Sequence, residues 1–307
     1  MRSNSAPRLA NVERLRLMAM FEIVAFHVSE HRLPILAGLG LPVFLLLNNA
    51  FNTTLTERMG TPAFLNVKLS RLLVPWILWS LIYLAVVLLE RWRHEEPLTE
   101  GFSIWMLIGG TYVHLWFVPF ALASSVLIAW VQARTARLDA WSITLTSLLC
   151  GAVLTVFNAW LLAPGAIQWP ALQWMFALPA LPFGFALGRA VLGGRPMLIR
   201  MAWFAGVAAA LGLGLAFAGV VPEMVRRYGV SLLLVSLAFL WPGRSERFSQ
   251  RLSPLLFGIY LSHPLLVRAY QATHLPALPE ALFAALIFAA AAALVAALRR
   301  SPLRILV

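Results

Sequence analysis

The segment Ala281–Leu298 reads ALFAALIFAAAAALVAAL, eighteen residues without a charged or polar side chain. A run of this length approaches the ~20 apolar residues that a helix needs to cross the hydrocarbon core of a bilayer. The strands of a membrane barrel would instead alternate polar and apolar residues over about ten positions. Because only helices and closed barrels satisfy their backbone hydrogen bonds in hydrocarbon, this segment predicts a membrane-spanning helix.

The rest of the 307-residue chain has the same character. Hydrophobic residues make up 61% of it and charged residues 12%, whereas a soluble domain carries about 25% charged residues. Such a chain cannot cover itself with a polar surface in water, and it is too hydrophobic to be disordered. We therefore predict an all-α, polytopic membrane bundle of about ten transmembrane helices, forming a single domain over residues 1–307. The proposed spans run roughly over 11–29, 36–55, 70–89, 111–131, 141–162, 170–190, 198–220, 224–241, 252–271 and 279–298.

The basic residues indicate how the spans are oriented. The chain has 24 Lys and Arg residues and a net charge of +12. Counting along the proposed spans leaves 18 of them on one side of the membrane; the six on the other are Arg32, Arg91, Arg93, Arg226, Arg227 and Arg268. Because cytoplasmic loops carry the excess of basic residues, we expect both termini in the cytoplasm. The charge then lies beside anionic lipid, which makes a nucleic-acid partner unnecessary. The single Cys150 excludes internal disulfides and thiolate metal clusters.

The first span contains ionisable residues, which are costly in hydrocarbon and often functional. It reads RLMAMFEIVAFH from Arg16 to His27. Eleven residues at 100° each place both side chains on one helix face, about 16 Å apart along the axis. Glu30 follows one turn later on nearly the same face. Arg16 is either an anchor at the membrane surface or a binding group, and His27 is either a helix–helix hydrogen-bonding residue or a catalytic one.

Cations and amides interrupt two further spans. Lys68 and Arg71 lie one turn apart at the cytoplasmic end of the third span. They either mark the membrane surface or bind an anionic phosphate together. Asn48 and Asn49 interrupt the second span, where paired amides must hydrogen-bond across helices or line a wet cavity.

Two more histidines fall within apolar spans. His114 opens the fourth span near the outer surface, and His263 lies in the middle or outer half of the ninth, one turn after Tyr260. With cations at the inner ends of two spans and histidines farther out on three, the pattern predicts a tunnel. A phosphate-binding site would lie at its inner mouth and an acid–base centre deeper in the membrane.

This arrangement resembles the integral membrane acyltransferase-3 family, which O-acylates bacterial cell-surface and secreted glycans. Four motifs carry the resemblance, in family order and each on the expected span. They are Arg16-x10-His27, Lys68-Leu-Ser-Arg71 with Pro75, His114-Leu-Trp-Phe-Val-Pro119 and Gly258-Ile-Tyr-Leu-Ser-His-Pro264. The chain departs from the family at Lys68, where an arginine is usual, and at Asn48-Asn49, where Ser-Gly is frequent.

The resemblance implies an O-acetyltransferase of the bacterial inner membrane. Acetyl-CoA from the cytoplasm would be the donor substrate, with no permanently bound cofactor and no metal. The donor phosphates would bind to Arg16, Lys68 and Arg71, and Asn48 and Asn49 would border the donor tunnel. An extracytoplasmic glycan or glycolipid would supply the acceptor hydroxyl.

Under this interpretation the histidines carry the chemistry. His27 would act as general base on the acceptor hydroxyl, because a histidine titrates near working pH. From helical phase alone, Glu30 would orient its imidazole. His114 and His263 are either acid–base helpers or structural hydrogen-bond partners.

Other classes of function stay open from the sequence. A transporter or flippase for an anionic or lipid-linked solute would not need a base at His27. The sequence feature expected of it is broken helices in paired positions of two halves. A structural subunit would not need histidines on three spans. The sequence identifies neither the acceptor, lipid-linked or free, nor the oligomeric state, and it leaves the acyl group open between acetyl and succinyl. The small-residue spacing Gly184–Gly188 serves packing inside one bundle as well as it would serve a dimer.

Overall fold

The computed structural model describes residues 9–28, 38–162, 167–219, 223–241, 243, 247–273 and 278–307, and Glu30 lies outside them. Within these ranges the regular structure is helical, as predicted. The helices are α1 Ala10–Val28, α2 Gly40–Met59, α3 Thr61–Arg93, α4 Met106–Gly109, α5 Phe117–Thr135, α6 Ala140–Leu162, α7 Ala171–Ala177, α8 Ala180–Leu192, α9 Arg195–Phe217, α10 Glu223–Leu240, α11 Arg247–Leu252, α12 Leu256–Gln271 and α13 Glu280–Leu298. Three 3-10 turns are Val113–Trp116, Ser253–Leu255 and Pro302–Leu306.

Seven helical segments in the described part of the chain are long and apolar enough to cross a membrane. They are Thr61–Arg93, Val113–Thr135, Ala140–Leu162, Ala171–Leu192, Arg195–Phe217, Phe248–Gln271 and Glu280–Leu298. The prediction of a helical multi-pass membrane protein is therefore confirmed. The count of ten spans and the cytoplasmic location of the termini stay predictions. The difference lies in α1, α2 and α10, which have 18 to 20 residues each but more polar sequences.

These more polar helices each pack against several others. The α1 helix packs against α2, α10, α12 and α13, and α2 packs against α1, α5, α8 and α10. Thirteen of the 20 residues of α2 are buried, and they include asparagines and threonines. A polar side chain is tolerated at this depth when a neighbouring helix supplies its hydrogen bond. In the apolar helices α3 and α13, by contrast, few residues are buried.

Glycines on α8 allow a close helix contact in the bundle core. A Cβ atom added at Gly184 would lie 2.4 Å from the Asn49 Cβ, and one added at Gly188 would lie 2.4 Å from the Thr53 Cβ. The side-chain amide of Asn49 donates to the backbone oxygen of Ala180 at 3.0 Å across the same contact. The Gly184–Gly188 spacing therefore packs α8 against α2 inside the bundle.

Some boundaries differ from the predicted spans for local reasons. The predicted span 170–190 is divided into α7 and α8, because Pro179 has no N–H to continue the first helix. The α3 helix has 33 residues, which at 1.5 Å per residue is about 50 Å and exceeds the ~30 Å hydrocarbon core. This length is sufficient for the two ends of α3 to reach opposite membrane surfaces.

The tight α2–α8 contact predicts that Gly188→Ala destabilises the protein. The added methyl group overlaps Thr53, and overpacking of this kind costs about 1–3 kcal/mol. The measurement is thermal unfolding in detergent. The matched control is Gly214→Ala on α9, where an added Cβ meets no atom within 4 Å. A melting temperature for Gly188→Ala equal to or above that of Gly214→Ala would contradict the proposed contact.

Candidate active site

Three histidines from separate parts of the sequence meet in the bundle. His27 lies in the last turn of α1, His263 in α12, and His114 in the 3-10 turn before α5. The ring centres of His27 and His263 are 5.2 Å apart, and those of His263 and His114 are 5.6 Å apart. His114 and His263 are fully buried, whereas His27 is half-buried. The half-buried ring of His27 is therefore the most accessible of the three.

The backbone of α12 fixes the protonation of His263. Pro264 has no N–H, so the backbone oxygen of Tyr260 lacks its usual helical donor. The Nδ1 atom of His263 lies 2.9 Å from that oxygen and 3.2 Å from the oxygen of Ile259. Because carbonyl oxygens only accept, Nδ1 carries the proton and Nε2 keeps a lone pair. Nε2 is buried and has no hydrogen-bond partner among the described residues.

His114 is held by α12 in the opposite tautomer. Its Nε2 lies 3.3 Å from the backbone oxygen of Leu261, so Nε2 carries the proton. Its Nδ1 is buried without a hydrogen-bond partner in the described part of the chain. The hydroxyl of Tyr260 donates to the backbone oxygen of His114. Both inner histidines are thus fixed at one nitrogen and present a lone pair at the other.

Aromatic rings surround His114. Tyr83 and Tyr112 stack at 4.7 Å, and their ring centres lie 5.0 Å and 5.4 Å from that of His114. Tyr260 lies 5.4 Å from His114 and packs against Phe117 at 5.2 Å. These rings exclude water from the imidazole, which strengthens the electrostatic interactions around it.

An ion pair joins α3 to α12 beside this aromatic cluster. The Arg268 Nη1 lies 2.5 Å from the Glu90 Oε2. The Nε of Arg268 donates to the Tyr112 hydroxyl at 3.0 Å, and its guanidinium lies 4.9 Å from the Tyr112 ring centre. Sequence analysis missed this cluster and Tyr83. It counted Arg268 as a loop charge, although a tyrosine within an apolar span already indicates that its hydroxyl needs a partner.

At the other end of α1, Arg16 lies beside a cavity of about 350 Å³. Its Nη1 donates to the Ser253 hydroxyl at 3.2 Å, and its guanidinium lies 5.5 Å from the Phe51 ring centre. The cavity is lined by Glu13, Arg16, Ser253, Pro254 and Phe257. The Arg16 guanidinium therefore borders this cavity where α12 begins.

Of the predicted cations, Arg16 lines this cavity, whereas Lys68 and Arg71 lie on α3. Lys68 is half-buried and Arg71 is exposed. The charges of Arg16 and Arg71 both act on the Lys68 ammonium group, and the charge of Glu13 acts on Arg16. Three cations against one carboxylate leave a positive potential that favours an anionic ligand.

One predicted cation, Arg16, and two of the three histidines, His27 and His263, belong to the pairing of α1 with α12. Arg16 contacts Ser253, just before α12, and His27 contacts His263 in that helix. The α1 and α12 helices therefore run parallel, and both side chains of α1 face the same neighbour. Helical phase in the sequence predicts this shared face.

The remaining predicted site residues lie elsewhere or are not described. Asn49 donates to α8, and the amide of Asn48 lies 3.5 Å from the Asn49 Oδ1. Asn49 thus serves helix packing, and a donor-binding role for the pair stays a prediction. Glu30 lies outside the described residues, so its orienting role also stays a prediction.

The Arg268 contacts predict that Arg268→Ala lowers stability. It removes an ion pair, a hydrogen bond and a cation–π contact between elements distant in sequence, which together contribute about 1–2 kcal/mol at this exposure. The measurement is thermal unfolding in detergent. The control is Arg226→Ala, which removes a pair to Glu223 within one helix. Equal effects of the two substitutions would contradict a specific clamp between α3 and α12.

Comparisons with known proteins identify the family. No curated protein and no solved structure shows significant similarity to the chain. A family model described as an acyltransferase domain matches residues 9–300, which include both clusters. This chain therefore belongs to the acyltransferase-3 family.

Proposed function

We propose that this protein is a membrane O-acyltransferase that moves an acyl group, in the simplest case acetyl, from cytoplasmic acyl-CoA to a hydroxyl of an extracytoplasmic glycan or glycolipid. Family membership supports the acyl transfer. The observation that carries the proposal is the pairing of α1 with α12. One end of this pair has a cation beside a cavity, and the other has two contacting imidazoles.

The cation cluster supports binding of the donor. Acyl-CoA carries a pyrophosphate and a ribose phosphate, and the net positive potential of Arg16, Lys68 and Arg71 suits such anions. Arg16 offers a planar fork to a phosphate, whereas Lys68 offers a point charge. The acyl-bearing arm of the donor would extend along α1 toward His27, over the roughly 16 Å that separates the two side chains along the helix axis.

The chemistry at His27 is general base catalysis. The neutral imidazole takes the proton of the acceptor hydroxyl while the hydroxyl oxygen attacks the thioester carbonyl carbon. The carbon–sulfur bond breaks, and the departing thiolate of CoA takes the proton from the imidazolium. The products are an acyl ester and free CoA, and no net proton is released. A histidine suits both steps because its pKa normally lies near neutral pH.

His263 is suited to support the charge that forms on His27. Its proton is held on Nδ1 by two backbone oxygens, so Nε2 can accept a hydrogen bond from a protonated neighbour. Stabilising an imidazolium by an oriented acceptor lowers the cost of the proton transfer. His114 provides a second oriented lone pair behind it. We therefore favour the acid–base interpretation of the two inner histidines over a purely structural one.

The base assignment is tested by His27→Ala. The rate of acyl transfer should fall about 10²–10⁴-fold, the usual contribution of a general base. The measurement is thiol release from acetyl-CoA by the purified protein with a panel of candidate glycans. The control is His94→Ala, which removes an exposed histidine at the end of α3. Unchanged transfer by His27→Ala would remove His27 as the base, and binding without any transfer by the wild type would favour a transporter.

The donor site is tested by CoA binding. Arg16→Ala should weaken binding about tenfold or more, because hydrogen bonds to charged groups contribute about 1.5–3 kcal/mol. Lys68→Ala/Arg71→Ala should weaken it as well, and the loss should shrink at high salt, where charges are screened. Arg137→Ala removes an exposed arginine at the end of α5 as a control. Equal affinities for all variants would leave these cations with a role in topology alone.

A further inference from the structure

The hydroxyl of Tyr83 is inserted into the backbone of α12. In a regular helix the N–H of Leu265 would donate to the oxygen of Leu261. Here the N–H of Leu265 donates to the Tyr83 hydroxyl at 3.2 Å, and that hydroxyl donates to the oxygen of Leu261 at 2.8 Å. A side chain of α3 therefore bridges one donor and one acceptor of the α12 backbone.

This insertion lies at the point where α12 carries a catalytic candidate. Pro264 stands between the two bridged residues, next to His263. A proline inside a helix removes a hydrogen bond and displaces the preceding carbonyls. Tyr83 is fully buried, so its hydroxyl has no water to compete for it. The path of α12 around His263 is consequently set from α3.

The same bridge holds His114. The oxygen of Leu261 accepts both from the Tyr83 hydroxyl and from the His114 Nε2, the latter at 3.3 Å. The rings of Tyr83 and His114 also pack edge to face, with centres 5.0 Å apart and planes at 77°. One backbone oxygen therefore joins Tyr83, His114 and the helix of His263.

We propose that Tyr83 is a positioning residue, which fixes the two inner histidines relative to His27 without touching either substrate. The proposal rests on the proposed acyl transfer for its effect on rate, but its geometric content can be tested without activity. Its hydroxyl holds the Leu261 oxygen in place, that oxygen fixes the tautomer of His114, and the bridged turn fixes His263.

The first test compares two buried tyrosines. Tyr83→Phe and Tyr228→Phe each remove one fully buried hydroxyl that donates to a backbone oxygen, in Tyr228 that of Phe176 at 2.7 Å. Both should lower the melting temperature, Tyr83→Phe by more, because it also removes the acceptor of the Leu265 N–H. Only Tyr83→Phe should lower kcat, by about tenfold or more, as expected for a small misplacement of reacting groups. Its KM for acetyl-CoA should stay within about twofold of the wild type, because the donor phosphates bind elsewhere.

Two outcomes of this comparison overturn the proposal. One is a kcat for Tyr83→Phe equal to that of the wild type, and the other is an equal loss of kcat in Tyr228→Phe. The second would show that any buried hydroxyl matters through stability alone.

The second test measures directly which nitrogen of the His114 imidazole carries the proton. In protein labelled with ¹⁵N-histidine, His114 should carry its proton on Nε2 in the wild type, with the signal assigned through His114→Asn. Tyr83→Phe should convert it to a mixture of tautomers, and Tyr228→Phe should not. A wild-type His114 protonated on Nδ1, or an unchanged signal in Tyr83→Phe, overturns the positioning role. Absence of acyl transfer in the wild type would instead remove the proposed function and leave this spectroscopic result standing.

Discussion

A proline in a membrane helix leaves one carbonyl without its donor, and no water is present in hydrocarbon to satisfy it. Pro264 creates this situation in α12. The protein supplies the missing donor from the Nδ1 of His263 and bridges the next position with the Tyr83 hydroxyl. These hydrogen bonds hold the His263 imidazole through Nδ1 and leave its Nε2 available for chemistry. The architecture of the candidate site thus follows from satisfying backbone groups that the proline leaves unpaired.

The same requirement explains how the helices are arranged. Helices with polar side chains occupy the interior, where neighbours supply hydrogen bonds, as Ala180 does for Asn49. Helices with few buried residues, such as α13, are almost entirely apolar. Close packing at Gly188 brings backbones near enough for such bonds to form. The polarity of a helix therefore indicates how deeply it lies within the bundle, because neighbouring helices satisfy its polar side chains there.

Charge and acid–base groups are separated along α1 and α12. Arg16 lies by the cavity at one end of this helix pair, and the imidazoles of His27 and His263 meet farther along it. This separation suits a reaction whose donor is a large anion and whose acceptor is a neutral hydroxyl. The phosphates can bind in a positive potential while the proton transfer proceeds in a more apolar environment. Membership of the acyltransferase-3 family agrees with this separation of the two sites.

Local periodicity allowed the sequence to determine the helical membrane fold, the common face of Arg16 and His27, and the residue types of both clusters. Helical phase and hydropathy depend only on neighbours within a few turns. The tertiary structure alone decided that Asn49 meets α8, that Arg268 pairs with Glu90, and that Tyr83 reaches into α12. These contacts join residues more than a hundred positions apart, and their choice depends on how whole helices pack. No local pattern encodes which helix becomes the neighbour of another, so the tautomer of His114, which depends on the Leu261 oxygen of α12, could be assigned only from the assembled bundle.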